Sequence, residues 1–138
     1  MAGTIRLEVV TPEKAIVSED VQIVMAPGSL GEFGVLPGHT PFLTSLKVGT
    51  LRYKDTGGNE ECVFISGGFA EALPNKVTVL AESAEKTCDI NLDRARASLE
   101  RAKKRLSGEG EPGTDVVRAK ASMDRAMYRI HLVETGRR

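Results

Sequence analysis

Near Glu82 the chain changes its repeat, and that change constrains the fold more than any other feature. Upstream, Ile5, Leu7 and Val9 alternate with Arg6 and Glu8, a period of two that gives a strand one buried face. Thr11-Pro12 breaks it. Short apolar runs follow at Ala15-Val17, Val21-Met25, Phe33-Leu36, Phe42-Val48, Thr50-Tyr53, Cys62-Ser66, Phe69-Leu73 and Val77-Ala81. Turn signals such as Asp55-Thr56-Gly57-Gly58-Asn59 and Pro74-Asn75 separate them, the punctuation of an antiparallel sandwich or barrel of roughly eight to ten strands. Downstream, Gly nearly vanishes, Ala and Arg rise, and the apolar spacing lengthens to a helical one.

Ala95, Leu99, Ala102 and Leu106 form one helical stripe; Val116, Ala119, Met123, Ala126, Ile130 and Val133 form another. Asn91 is placed to cap the first helix, and Asp115 or Thr114 the second, because their side-chain oxygens can accept from unpaired first-turn amides. Residues 107–113, SGEGEPG, hold no apolar side chain and read as a loop, so the helices form an antiparallel hairpin. Alanines on both stripes let the helices approach closely, but burying Ala contributes far less than burying Leu. Such a hairpin can exchange between a folded-back and an extended form, or dock permanently on the β part.

The stretch Pro27 to Leu46, PGSLGEFGVLPGHTPFLTSL, spaces Gly28, Gly31 and Gly34 by three before a Pro-Gly-His-Thr-Pro turn. It specifies either a shaped surface loop or ordinary strands joined by turns. It is not a phosphate loop: G-x-x-x-x-G-K-[ST] and G-x-G-x-x-G are absent from the chain. Cys62 and Cys88 stand apart with no C-x-x-C, the usage of a reducing compartment. No apolar run approaches the ~20 residues of a membrane-spanning helix, so any membrane association is borrowed from a partner. The neutral total hides a net −4 over residues 1–88 and +4 over residues 89–138.

For catalysis the inventory is thin. His39 and His131 have no Cys, Asp or Glu at metal-ligand spacing, no nucleophile-base-orienter set is legible, and Glu60-Glu61 reads as an exposed strand edge. The repeated polar constellation is arginine: Arg94, Arg101 and Arg105 on the first helix, Arg118, Arg125 and Arg129 on the second. Planar guanidinium forks facing each other across a hairpin can hold a polyphosphate, or simply pair with Asp93, Glu100 and Asp124. Nucleic-acid binding is disfavoured, because Tyr128 is the only aromatic residue of the helices and the chain is neutral.

Four segments taken in order carry a resemblance: LEVVTPEKAIVSEDV, PGSLGEFGVLPGHTPFLTSLKVGTLR, FISGGFAEALPNKVTVLAESAE, and the helical pair INLDRARASLERAKKRL with DVVRAKASMDRAMYRI. Over essentially its full length the chain resembles the epsilon subunits of bacterial F-type ATP synthases (the delta subunit of mitochondria). The resemblance implies an α+β protein: a β-sandwich of about ten strands over residues 1–88, then a two-helix hairpin over residues 89–138. It implies a non-catalytic rotor subunit seated on the gamma subunit and the c-subunit ring. Its hairpin would inhibit ATP hydrolysis when extended toward the alpha and beta subunits. Gly31, Glu32 and His39 match family positions facing the c ring, and the implied location is the cytoplasmic face of the bacterial membrane, reached through the complex.

No cofactor is required by the resemblance, but some members bind ATP on the folded hairpin as a regulatory ligand. Carried over by position, that site maps to Glu85, Ile90, Asn91, Arg94, Ala95, Arg101, Arg125 and Arg129. Asn91 departs from the pattern, which has Asp there; the cap survives the change and the negative charge does not. The alternative is a stand-alone nucleotide-sensing module built on the same arginines.

Overall fold

A computed structural model describes residues 3–108 and 115–135. Among these are nine strands: β1 (Ile5–Val10), β2 (Ala15–Gly28), β3 (Gly31–Val35), β4 (Phe42–Leu46), β5 (Gly49–Asp55), β6 (Glu60–Ile65), β7 (Gly68–Leu73), β8 (Lys76–Ala81) and β9 (Ala84–Lys86). A 3-10 turn, Thr87–Asp89, leads into α1 (Leu92–Leu106) and α2 (Val116–Glu134).

Nine falls within the eight to ten strands expected, although the elements differ: the runs Ala15-Val17 and Val21-Met25 belong to one 14-residue strand, and the three-residue β9 adds another. Polar Ser18, Glu19 and Asp20 do not break it, since each stays in register with β1, opposite Glu8, Leu7 and Arg6. This long strand holds the two layers together. Its first half pairs with β1; its second half pairs with β3 and β5. One layer runs β1-β8-β7-β4 and the other continues from β2 through β5 and β6 to β9. The pairing of β1 with β8 is parallel, the one departure from the antiparallel arrangement expected.

Alternation then fills the space between the layers. Ile5, Leu7 and Val9 are at most 1% exposed, and they join Val21, Val24, Leu51, Val63, Ile65, Val77 and Val79 in one core. The sequence Gly67-Gly68 has a steric cause. Gly68 has φ +138°, and a Cβ there would lie 2.0 Å from the Leu80 carbonyl oxygen, so only glycine fits. Pro27 to Leu46 is the second of its two readings: the end of β2, a two-residue turn at Ser29-Leu30, β3, the Leu36–Thr40 turn, and β4.

Both helices begin as the capping chemistry demands. Asn91 Oδ1 accepts from the Arg94 amide and Asp115 Oδ1 from the Arg118 amide, each at 3.0 Å. Thr114 and most of the 107–113 loop lie outside the described residues. An ion pair at 3.4 Å between Arg96, early in α1, and Glu134, at the end of α2, marks the antiparallel arrangement. Ala95, Ala102, Ala119 and Ala126 are buried along the seam. Val116 leaves the expected stripe: it is 60% exposed. Leu132, off that stripe, is 1% exposed because it faces the sandwich, packed with Cys62, Phe64 and Ile90.

Candidate functional site

Where the hairpin lies against the sandwich, a cleft of about 520 Å³ opens. Its helical wall carries Arg94 and Arg101 from α1 and Arg125 and Arg129 from α2, with Ala95 and Asn91 beside them. Its sandwich wall carries Glu85 of β9, the Glu82–Ala84 approach to it, and the β1–β2 turn. Spacings of seven and four residues put each arginine pair on one face of its helix, and the antiparallel seam turns those faces to the same side.

The four arginines are not equivalent. Arg129 Nε donates to Glu85 Oε1 at 2.7 Å, and its guanidinium carbon sits 4.3 Å from the Phe64 ring centroid. That arginine is committed to holding α2 on β6 and β9. Arg94, Arg101 and Arg125 have no carboxylate within ion-pair distance among the described residues, so the expected pairing with Asp93, Glu100 and Asp124 does not occur. Glu100 instead lies 3.9 Å from Lys103. Three unshared guanidinium forks at the mouth of a cleft present donors in the geometry that phosphate oxygens accept.

Of the residues carried over for ATP, the cleft gathers Glu85, Asn91, Arg94, Ala95, Arg101, Arg125 and Arg129. Ile90 is elsewhere. It is buried beneath the cleft with Cys62, Phe64 and Leu132, where it anchors the start of the hairpin. The Asn91 side-chain oxygen is already used as the α1 cap. Arg105 and Arg118 do not line the cleft, whereas Lys14 on the β1–β2 turn does, a placement that no local pattern discloses.

At another corner, Gly31 takes φ +133° after the Ser29-Leu30 turn, and Glu32 follows as the second residue of β3. Glu32 Oε1 accepts from Arg52 of β5 at 2.7 Å, beside a groove of about 300 Å³ that Tyr128, His131 and Leu132 of α2 border. His39 is half-buried in its turn; its Nδ1 donates to the Thr40 carbonyl at 2.7 Å and its ring lies 5.0 Å from Phe42. Phe42 in turn meets the edge of Phe33 at 5.0 Å. Thus Gly31 and Glu32 adjoin, while His39 reaches that corner only through two phenyl rings. Leu30 at the tip is fully exposed, a residue the sequence reading missed although a leucine in a Ser-Leu-Gly turn was itself the signal.

The outer face of the β1-β8-β7-β4 layer carries a further apolar feature. Val10 stands opposite Leu80, Leu80 opposite Phe69, and Leu43 two residues from Phe69's partner Ser45, so the four side chains form a stripe across four strands. Leu80 and Phe69 are 57% exposed and Leu43 is 70% exposed. Single exposed apolar residues are ordinary; a contiguous row on a sheet face marks a contact surface. Among the described residues no group of three or more His, Cys, Asp or Glu side chains is arranged to hold a metal ion, and no helix is long and apolar enough to cross a membrane.

A sandwich with an apolar outer stripe, bearing a hairpin held through a few contacts, defines a docking subunit with an attached helical element. Residues 4–87 match the family model described as ATP synthase, delta/epsilon chain, beta-sandwich domain, and residues 89–134 match that of the long alpha-helix domain of the same chain. The chain belongs to the ATP synthase delta/epsilon chain family, whose members are non-catalytic stalk subunits. It is 60% identical to the ATP synthase epsilon chain of Desulforapulum autotrophicum, over 98% of this chain and 99% of that one. It is 52% identical to that of Syntrophobacter fumaroxidans, over 97% and 98%. A chain in the mitochondrial ATP synthase structure of Euglena gracilis (OSCP/F1/c-ring) shares the fold at TM-score 0.74 and 23% identity, covering 96% of this chain and 81% of that one.

Proposed function

We propose that this chain is the coupling and regulatory subunit of a rotor in a bacterial F-type ATP synthase, attached to the cytoplasmic face of the cell membrane through the complex. Residues 1–88 dock on gamma and on the c-subunit ring; residues 89–138 act as a switch on ATP hydrolysis by the alpha and beta subunits. The apolar stripe of Leu43, Phe69, Leu80 and Val10 suits a gamma-type partner, and the corner formed by Leu30, Gly31 and Glu32, with His39 behind it, suits the c ring. The Arg94, Arg101 and Arg125 forks suit ATP as a regulatory ligand of the folded hairpin.

The observation that carries the switch is the disparity between two cores. Nineteen buried residues form the sandwich interior, whereas four (Cys62, Phe64, Ile90 and Leu132) join it to the hairpin. The second contact can open while the first stays intact. ATP hydrolysis by the parent complex, carrying either the full chain or one ending after Asp89, tests this. Faster hydrolysis with the shortened chain, the complex remaining assembled, is the expected result; an unchanged rate refutes the switch.

A further inference from the structure

Along the walls of the arginine cleft, charge is distributed unevenly. The helices supply Arg94, Arg101, Arg125 and Arg129, the Thr87–Asp89 turn supplies Asp89, and the sandwich supplies Glu13, Glu82 and Glu85 and a single cation, Lys14. A polyanion held by the helical arginines alone would meet acids on the opposite wall. It would lock the two helices to each other without drawing them toward the sandwich. One positive group on that wall changes the outcome.

The turn that carries Lys14 is ordered by its own hydrogen bonds. Thr11 Oγ1 accepts from the amides of Glu13 and Lys14 at 3.4 and 3.3 Å and donates to the Lys14 carbonyl at 3.1 Å. The Thr11 amide donates to the same carbonyl at 2.9 Å. The backbone of Lys14 is therefore fixed while its side chain is exposed, with no acid within ion-pair distance among the described residues. Opposite it stand guanidinium groups that are likewise unshared.

We infer that Lys14 is a phosphate ligand of this cleft, and that through it a nucleoside triphosphate ties the hairpin to the sandwich instead of only joining helix to helix. The inference rests on the nucleotide reading of the cleft and extends it to a residue of the β part. Lysine contributes as a flexible point charge, so its reach suits the terminal phosphates while the arginine forks hold the chain. A ligand bridging both walls stabilises the docked state by its differential affinity for that state.

The test uses the full-length chain and its Lys14→Ala, Lys14→Glu and Lys14→Arg variants, titrated with ATP, ADP and inorganic tripolyphosphate. Affinity is read by calorimetry, and docking by hydrogen exchange of the β6 and Thr87–Asp89 amides. Loss of one charge-assisted phosphate contact should weaken ATP binding roughly tenfold in Lys14→Ala and more in Lys14→Glu, with Lys14→Arg close to the parent. ATP should still slow exchange within α1 and α2 of Lys14→Ala, but should protect β6 much less than in the parent. Equal affinity and equal β6 protection in parent and Lys14→Ala overturn the role of Lys14 and leave the nucleotide reading standing. Binding of tripolyphosphate with the same Lys14 dependence, and none of ATP, supports Lys14 and overturns the nucleotide reading. If the parent chain answers neither ligand, both fall.

Discussion

Shortening Leu132 to Ala probes the joint between hairpin and sandwich with little disturbance of either. Leu132 is 1% exposed, and its neighbours Cys62 and Phe64 come from β6 and Ile90 from the start of the hairpin. The change deletes three carbons, worth roughly 0.8 kcal/mol each in transfer, and leaves a space only partly refilled, so docking weakens by about 3 kcal/mol. That corresponds to a shift of roughly 100-fold toward the undocked form. The sandwich core does not include Leu132, so its unfolding midpoint should move little. Native-state hydrogen exchange is the assay. Amides of α2 and of the Thr87–Asp89 turn should exchange on the order of 100-fold faster at neutral pH, while those of β1, β5 and β8 keep the parent rates. In the assembled complex the same variant should slow ATP hydrolysis, because the undocked hairpin is the one free to extend. Leu132→Met, which conserves volume, should stay within about 1.5 kcal/mol of the parent. Unchanged α2 exchange in Leu132→Ala would show that the hairpin is held by something other than this contact, and the reasoning would fail.

Gly68→Ala places a methyl group on the Leu80 carbonyl at a φ that L side chains avoid, and should lower sandwich stability by at least ~2 kcal/mol in urea unfolding; a midpoint within error of the parent refutes the steric account. Tyr53 is held neutral well above the ordinary tyrosine range, first by burial and then by the neighbouring Glu19 carboxylate. Since its folded pKa is raised, its contribution is full below the unfolded value of about 10 and is lost as pH rises past it. Stability should therefore fall above about pH 10 in the parent and fall less in Tyr53→Phe, and parallel denaturation curves against pH count against this assignment. Asn91→Asp keeps the α1 cap and restores the carboxylate of the family pattern at the cleft, so helix stability should hold while ATP affinity changes; equal affinity means the charge makes no contact.

Local chemistry was legible in this sequence, and pairing across long separations was not. Asn91 and Asp115 could be named as caps because a cap needs only an oxygen three residues before an unpaired amide. The alanine seam followed from helical periodicity in the same way. Ser18-Glu19-Asp20 looked like a break between strands because polarity was visible while the partner β1, which keeps those residues in register, was not. The three residues of β9 are too few to show any period. In the cleft, the arginines announced themselves by spacing within each helix. Lys14 and Glu85 reach it from turns and strands whose position depends on the closed sheet, and Leu132 faces away from the helix seam on which the stripe was read.

The parallel pairing of β1 with β8 has a kinetic consequence. Leu7 stands opposite Val77, so the strand ring cannot close until almost the whole sandwich segment is available, whereas each helix of the hairpin is stabilised by bonds four residues long. Non-local pairing of this type forms in milliseconds to seconds, and helices in about a microsecond. A chain refolding from denaturant therefore meets its helices first and the wall they rest on last. On the ribosome β8 is made before α2, so the sandwich segment gains time to pair before the second helix exists.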